Sequence, residues 1–242
     1  MIVKALPNLL TLGNLFLGIV AMVLAFSDMV DLAAITVIVA MLLDGLDGRV
    51  ARMLNAQSEF GKELDSLSDV ISFGVAPAFI MYVVALQEMS FLGILITGMF
   101  PICGALRLAR FNVQAGVPGY FIGLPITAAG GVLATLALFH EVFPTIVLSL
   151  CMLMLAYLMV SKVKYPNFKK VGIPKSAYWI IPIIVVGAII IAVLFPSMIS
   201  KLVFVPLALY ALYGIKKNVE YYIRKSKKKD VPEEEHHTME SC

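Results

Sequence analysis

Charge is what this sequence has least of. Only 14% of its 242 residues are Asp, Glu, Lys or Arg, against 60% that are apolar, and the mean hydropathy is +0.93. Soluble domains carry about a quarter charged residues, so a soluble class is excluded. A nucleic-acid-binding surface goes with it, because the basic residues are not interleaved on a polar face. Cysteine is scarce too: Cys103 and Cys151 fall in apolar segments and Cys242 closes the sequence. An odd count without ligand spacing excludes a disulfide framework and a cysteine zinc site, leaving these as packing residues or bystanders. Of three histidines, His236 and His237 adjoin in a polar stretch with no third ligand, which reads as solvated surface. Long internal repeats are also missing.

What the chain has in quantity is apolar runs. Stretches at about 9–27, 32–53, 65–86, 91–110, 123–140, 145–161, 178–195 and 201–216 approach the roughly 20 residues that span a bilayer as helix. This pattern predicts an all-α polytopic membrane bundle of about eight transmembrane helices. The run from Leu9 to Phe26 is longer than the about 7–15 residues of a signal-peptide core, so it is expected to remain as the first span. Basic residues indicate orientation. With the N-terminus inside, all but one of the 19 Lys and Arg fall on the inner side, Lys201 being the exception, an asymmetry that sets topology. Both termini are then cytoplasmic. A membrane domain over 1–216 precedes a charged tail, 217–242, whose apolar content is too low to pack. Within that domain the core is expected at about 1–170, with two added helices at about 178–216, because every recognisable motif precedes them.

Against this background four aspartates stand out: Asp44 and Asp47, three apart, and Asp65 and Asp69, four apart. Those spacings put each pair on one helix face. The loop 54–60 is short, so the second and third helices are antiparallel neighbours, and the end of one is brought against the start of the other. At 1.5 Å rise per residue, Asp44 lies about 12 Å deeper than Arg52, below the inner surface but reachable from the cytosol. One unpaired carboxylate in hydrocarbon costs several kcal/mol, so four together require protons or divalent cations. All-oxygen donors suit Mg2+ or Mn2+ rather than Zn2+. Two such ions about 4 Å apart can bridge a diphosphate.

The segment DGLDGRVARMLNAQSEFGKELDSLSD fits D-x-x-D-G-x-x-A-R, eight residues, then G-x-x-x-D-x-x-x-D. Asp44, Asp47, Gly48, Ala51, Arg52, Gly61, Asp65 and Asp69 fill every fixed position. It resembles the signature of the CDP-alcohol phosphotransferases, membrane enzymes that join an alcohol to a phosphatidyl group and release CMP. The resemblance implies a six-helix core, a homodimer, two Mg2+ or Mn2+ ions held by the four aspartates, and Asp69 as general base as well. It places Gly48, Ala51, Arg52 and Gly61 against the cytidine nucleotide, although small-residue helix packing accounts for either glycine alone. In the segment PNLLTLGN, which carries Pro7, Asn8, Thr11 and Asn14, the same resemblance makes Asn8 and Thr11 nucleotide candidates. Pro7 and Asn8 serve equally well as a helix cap.

Softer stretches narrow the choice of alcohol. VISFGVAPA at 70–78, RLARFN at 107–112, YFIGLP at 120–125 and VSKVKYPNFKK at 160–170 resemble the phosphatidylserine synthase branch of that family, over at least residues 1–170. This implies CDP-diacylglycerol and L-serine as substrates, CMP as a product, and a site at the cytoplasmic face of the cell membrane. Arg107 and Arg110 are i,i+3, so a guanidinium fork can hold the serine carboxylate or a lipid phosphate; Asn112 is a third candidate. As positive-inside anchors the two arginines would instead snorkel to the interface. Charge leaves glycerol 3-phosphate open as acceptor, the phosphatidylglycerophosphate synthase reading, because Arg107, Arg110, Lys162 and Lys164 suit a phosphorylated alcohol too. An ion-coupled transporter would need polar residues at mid-membrane and broken helices in paired positions, whereas these acids gather at one side.

Overall fold

The computed structural model describes residues 2–113, 120–166 and Lys216. The helices expected at 178–195 and 201–216 (Lys216 aside), the tail and residues 167–170 lie outside the described residues. Two long helices open the chain, α1 (Ile2–Phe26) and α2 (Val30–Met53). They reverse through Asp28, whose φ of 59° suits a short polar side chain that tolerates the left-handed region. The α1–α2 hairpin packs on small residues: Ala21, Ala25, Ala33, Val37 and Ala40 are fully buried in one cluster. Small side chains let helix backbones approach closely.

Helix α2 stops where Asn55 turns left-handed, φ 49°, and Ala56 N donates to Ala51 O at 2.9 Å, a usual way to close a last turn. Helix α3 (Glu59–Asp69) begins because Ser58 caps it, accepting from Gly61 N at 3.0 Å. Both α1 and α3 start well before their apolar runs. Apolarity marks the part of a helix that is buried or in lipid, whereas the cap marks its end.

From Asp69 the helix continues through π turns (Val70–Val75), α4 (Ala76–Met81), further π turns (Tyr82–Leu86) and a 3-10 turn (Gln87–Met89). Ser90, with φ 50°, then reverses the chain, and α5 (Ser90–Val113) packs back along the π turns and α4. Two helical stretches among the described residues are long and apolar enough to cross a membrane: Ala5–Phe26, of 22 residues, and Glu59–Val113, of 55. The second is the pair of rods folded at Ser90. Helix α6 (Ile126–Leu136), extended by a 3-10 turn, and α7 (Thr145–Val160) are shorter and apolar. A three-residue antiparallel ladder pairs β1 (Tyr120–Ile122) with β2 (Lys164–Pro166), Phe121 opposite Tyr165. This ladder is the one departure from the helical expectation among the described residues.

The core lies between the π turns and α5, α6 and α7, where Phe73, Phe100, Ile126, Leu133, Met152 and Met159 are fully buried. On the outside of α1, Leu9, Phe16 and Val23 are 64%, 65% and 60% exposed, and their spacing of seven puts them on one stripe. Large apolar side chains outward and small ones inward invert the soluble pattern and suit a lipid surroundings.

A close approach between α1 and the π turns generates a stability prediction. A Cβ on Gly18 would stand 2.5 Å from Ser72 Oγ and 2.7 Å from Ser72 Cα. Gly18→Ala is therefore expected to cost about 1–3 kcal/mol by overpacking. Gly98→Ala, whose added carbon meets nothing within 4 Å, is expected to gain up to about 1 kcal/mol. Thermal melting in detergent checks the pair; a Gly18→Ala protein that melts at or above the parent contradicts the close approach.

Candidate metal and nucleotide site

Helices α1, α2 and α3 meet in register, layer by layer. Asn8 Oδ1 faces Gly61, 3.0 Å from where a Cβ would stand. One turn along, Thr11 Oγ1 donates to Asp47 Oδ2 at 2.7 Å and Ser68 Oγ donates to Thr11 O at 3.0 Å. A further turn along, Ser72 Oγ donates to Asn14 O at 2.9 Å. Rising numbers on α1 thus meet rising numbers on α3, so these two run parallel while α2 runs against both. Since Asp44 is one turn deeper on α2 than Asp47, it falls in the layer of Asn14. Asp69 lies between Ser68 and Ser72, hence between the layers of Thr11 and Asn14.

Carboxylate oxygens of Asp44, Asp47 and Asp65 all lie within 4.8 Å of one another. Oxygens around an octahedral Mg2+ stand about 3.0 or 4.2 Å apart, at roughly 2.1 Å per bond, so these three are gathered near enough for a bound cation to draw them into one coordination sphere. Asp69 is 7% exposed, and its Oδ1 meets no hydrogen-bond donor among the described residues. A buried carboxylate oxygen without a donor is costly unless a cation or proton satisfies it. Three converging carboxylates, a fourth buried one turn beyond Asp65, and no Cys or His among them fit a hard divalent cation.

The cluster opens onto a cavity of about 570 Å³. Asn8, Thr11, Gly48, Ala51, Arg52 and Gly61, all six nucleotide candidates, line it, together with Asp47 and Asp65. Only Arg52 Nη1, at 3.6 Å, comes within 4 Å of a Cβ built on Gly48, so that wall is left open by its missing side chain. Arg52 and Lys62 are exposed at the wall, where they offer positive charge to an anion entering above the carboxylates.

The three acceptor candidates on α5 part company. Arg107 is buried, its guanidinium 5.5 Å from the Phe111 ring centroid, and its charge acts on Asp69. It therefore does not snorkel to the surface. Arg110 Nη1 donates to Val160 O at 2.9 Å, the last residue of α7, and Asn112 Nδ2 donates to Ser66 Oγ at 2.9 Å. Those two tie the end of α5 to α7 and α3. Sequence reasoning passed over Gln57, Ser58 and Lys62, which also line the cavity, and Ser68 and Ser72. The serines could have been found by their i,i+4 spacing on an otherwise apolar helix; Gln57 carries no comparable signal.

Residues 4–163 match the family described as CDP-alcohol phosphatidyltransferase. A Helicobacter pylori (strain ATCC 700392 / 26695) protein named CDP-diacylglycerol--serine O-phosphatidyltransferase is 38% identical over 218 residues, covering 86% of this chain and 89% of its own. A Bacillus subtilis (strain 168) protein of the same name is 41% identical over 165 residues, 68% of this chain and 92% of its own. An archaetidylserine synthase of Methanothermobacter thermautotrophicus is 38% identical over 170 residues, 69% of this chain and 72% of its own. The chain belongs to the CDP-alcohol phosphatidyltransferase family.

Proposed function

We propose that this chain transfers the phosphatidyl group of CDP-diacylglycerol to the hydroxyl of L-serine, giving phosphatidylserine and CMP. The observation that carries the reading is the aspartate cluster opening onto the cavity lined by the six nucleotide candidates. Relatives from bacteria and an archaeon named for serine transfer or for archaetidylserine synthesis support the choice of alcohol. A second cavity of about 670 Å³, lined by apolar residues including Leu9, Leu12, Leu54, Phe60 and Leu64, shares Asn8 with the first. A polar hollow and an apolar one meeting at a single residue suit an amphiphile with a nucleotide head and an acyl tail.

Asp44, Asp47, Asp65 and Asp69 would hold two Mg2+ or Mn2+ ions, which when bound offset the charge of the diphosphate and of in-line transfer. Asp69 takes the proton of the serine hydroxyl as its oxygen attacks the phosphorus that bears the diacylglycerol. The new P–O bond forms while the bond to the bridging diphosphate oxygen breaks, and CMP leaves with that electron pair. Asn8, Thr11, Gly48, Ala51, Arg52 and Gly61 hold the nucleotide. Arg107 grips the serine carboxylate, and Arg110 and Asn112 fix the end of the helix that carries it. The basic-residue asymmetry supports a site at the cytoplasmic face of the cell membrane, with both termini inside. We assign about eight spans, a six-helix core over about 1–170, two further helices, the tail at 217–242, and a homodimer.

Purified protein in detergent, given CDP-diacylglycerol and Mn2+, is expected to release CMP with L-serine well above water, and not with glycerol 3-phosphate or inositol phosphate. Release with glycerol 3-phosphate alone would reassign the acceptor and leave the family chemistry standing.

The general base is separable from the cation ligands. Asp69→Asn keeps size and one oxygen, so at saturating Mn2+ CDP affinity should persist while turnover falls about 10²–10⁴-fold. Asp47→Asn should weaken both cation and nucleotide binding along with turnover. Calorimetry with CDP beside turnover distinguishes them; if the two measures fall together in Asp69→Asn, another group accepts the proton.

Arg107→Lys keeps charge but loses the planar fork. Loss of one charged hydrogen bond, about 1.5–3 kcal/mol, is expected to raise the KM for serine about 10–100-fold with little change for CDP-diacylglycerol. Equal effects on both substrates would place Arg107 at the lipid phosphate instead.

A further inference from the structure

Asn14 is fully buried, and neither its Nδ2 nor its Oδ1 has a hydrogen-bond partner among the described residues. A primary amide offers two donor hydrogens and two acceptor lone pairs. Leaving them unmade in an apolar interior is costly, whereas an apolar side chain of the same shape would carry no such cost. The residue type therefore points to a polar role.

Its neighbours narrow that role. Thr11, one turn outward on α1, is committed to Asp47 at 2.7 Å. Ser72 spends its hydroxyl on the Asn14 carbonyl at 2.9 Å, and Gly18 beyond it leaves no space for even a Cβ against Ser72. The amide is thus held beside the turn of α3 that carries Asp69, one turn before Ser72, and near the turn of α2 that carries Asp44. Asp69 Oδ1 is the matching group there, a buried carboxylate oxygen with no donor among the described residues.

We infer that Asn14 is a positioning residue: its Nδ2–H donates through one ordered water to the Asp69 carboxylate, and so aims the carboxylate's remaining lone pairs at the cations. Ligating carboxylates held by such outer hydrogen bonds commonly lose about 10–100-fold in metal affinity when the outer partner is removed. The inference rests on the metal reading of the aspartate cluster.

Direct Mn2+ binding to the detergent-purified full chain, followed by electron paramagnetic resonance, tests it with Asn14→Leu, Asn14→Val and Asn14→Ser. Leu and Val are expected to bind Mn2+ about 10–100-fold more weakly. Ser, although smaller than either, keeps a donor and is expected to bind better than both. Melting of each variant in the absence of cations is recorded beside the binding, so that weaker binding through loss of the donor is told apart from weaker binding through a destabilised fold. Affinity that follows side-chain volume rather than hydrogen-bonding capacity overturns the inference, as does a loss of affinity that merely tracks a fall in melting temperature. Should Asn14→Leu fail to fold, the order of Val against Ser decides. Equal binding by the parent and all variants sinks the role of Asn14 alone, whereas a parent that binds no Mn2+ sinks the metal reading itself.

Discussion

Repulsion among carboxylates gathered at one end of an apolar bundle is the constraint on which the rest of this structure depends. Three of them have oxygens within 4.8 Å of one another, and at an effective dielectric of about 20 each pair costs about 3 kcal/mol. Three such pairs approach the whole folding stability of an ordinary domain, about 5–15 kcal/mol. No packing rationale requires that expense, since apolar residues of similar volume would fill the space without it. The arrangement makes physical sense when positive charge arrives with a ligand, and the cavity above the cluster gives that charge a way in.

Holding the acids together is the work of helix register rather than of the acids themselves. A slip of one residue turns a helical side chain by about 100°, which would carry Asp65 and Asp69 away from α2. The seam that prevents this is made of small and hydroxyl residues: Asn8 against Gly61, Ser68 on the Thr11 carbonyl, Ser72 on the Asn14 carbonyl, and Gly18 against Ser72. Each hydroxyl bonds a backbone carbonyl, so the contact reads position along α1 rather than side-chain identity. The seam and the acidic cluster occupy the same turns, so a change in one is felt in the other.

The aspartates and glycines of the cluster were legible in the sequence because helical spacing alone puts Asp44 with Asp47 and Asp65 with Asp69, and a short loop sets the two helices side by side. The hydrophobic runs likewise marked where α1, α2, α5, α6 and α7 would lie. Their ends were less legible, since Ser58 caps α3 at a place where composition shows only a polar loop. What could not be read was which of several similar groups points where. Arg107 and Arg110 are one turn apart on α5, yet one is buried with its charge on Asp69 and the other caps α7. Arg110 is drawn to the end of α7, an element distant in sequence. Asn14 was named among the polar residues of its segment but given no role for the same reason: a single Asn deeper in an apolar run shows its meaning only once the layer around it is known.

The VISFGVAPA stretch, which in sequence pointed toward a particular alcohol, acquires a different kind of meaning in three dimensions. Ser72, Phe73 and Gly74 are buried, and the π turns they form sit directly behind Asp69. Gly130 of α6 lies so near the Phe73 carbonyl that no Cβ would fit, a Cβ on Gly74 would stand 3.4 Å from Pro101 of α5, and Gly104 of α5 leaves room for Ile126 of α6. Wide π turns often mark functional positions in helices. Here they form the hub on which α5 and α6 converge, so they set how deeply Asp69 sits and how Arg107 approaches it. On this view none of the motif needs to touch the acceptor. Any influence of these residues on which alcohol reacts runs through the spacing of a carboxylate and a guanidinium across the α3–α5 contact, a spacing that depends on glycines fitting where no side chain could.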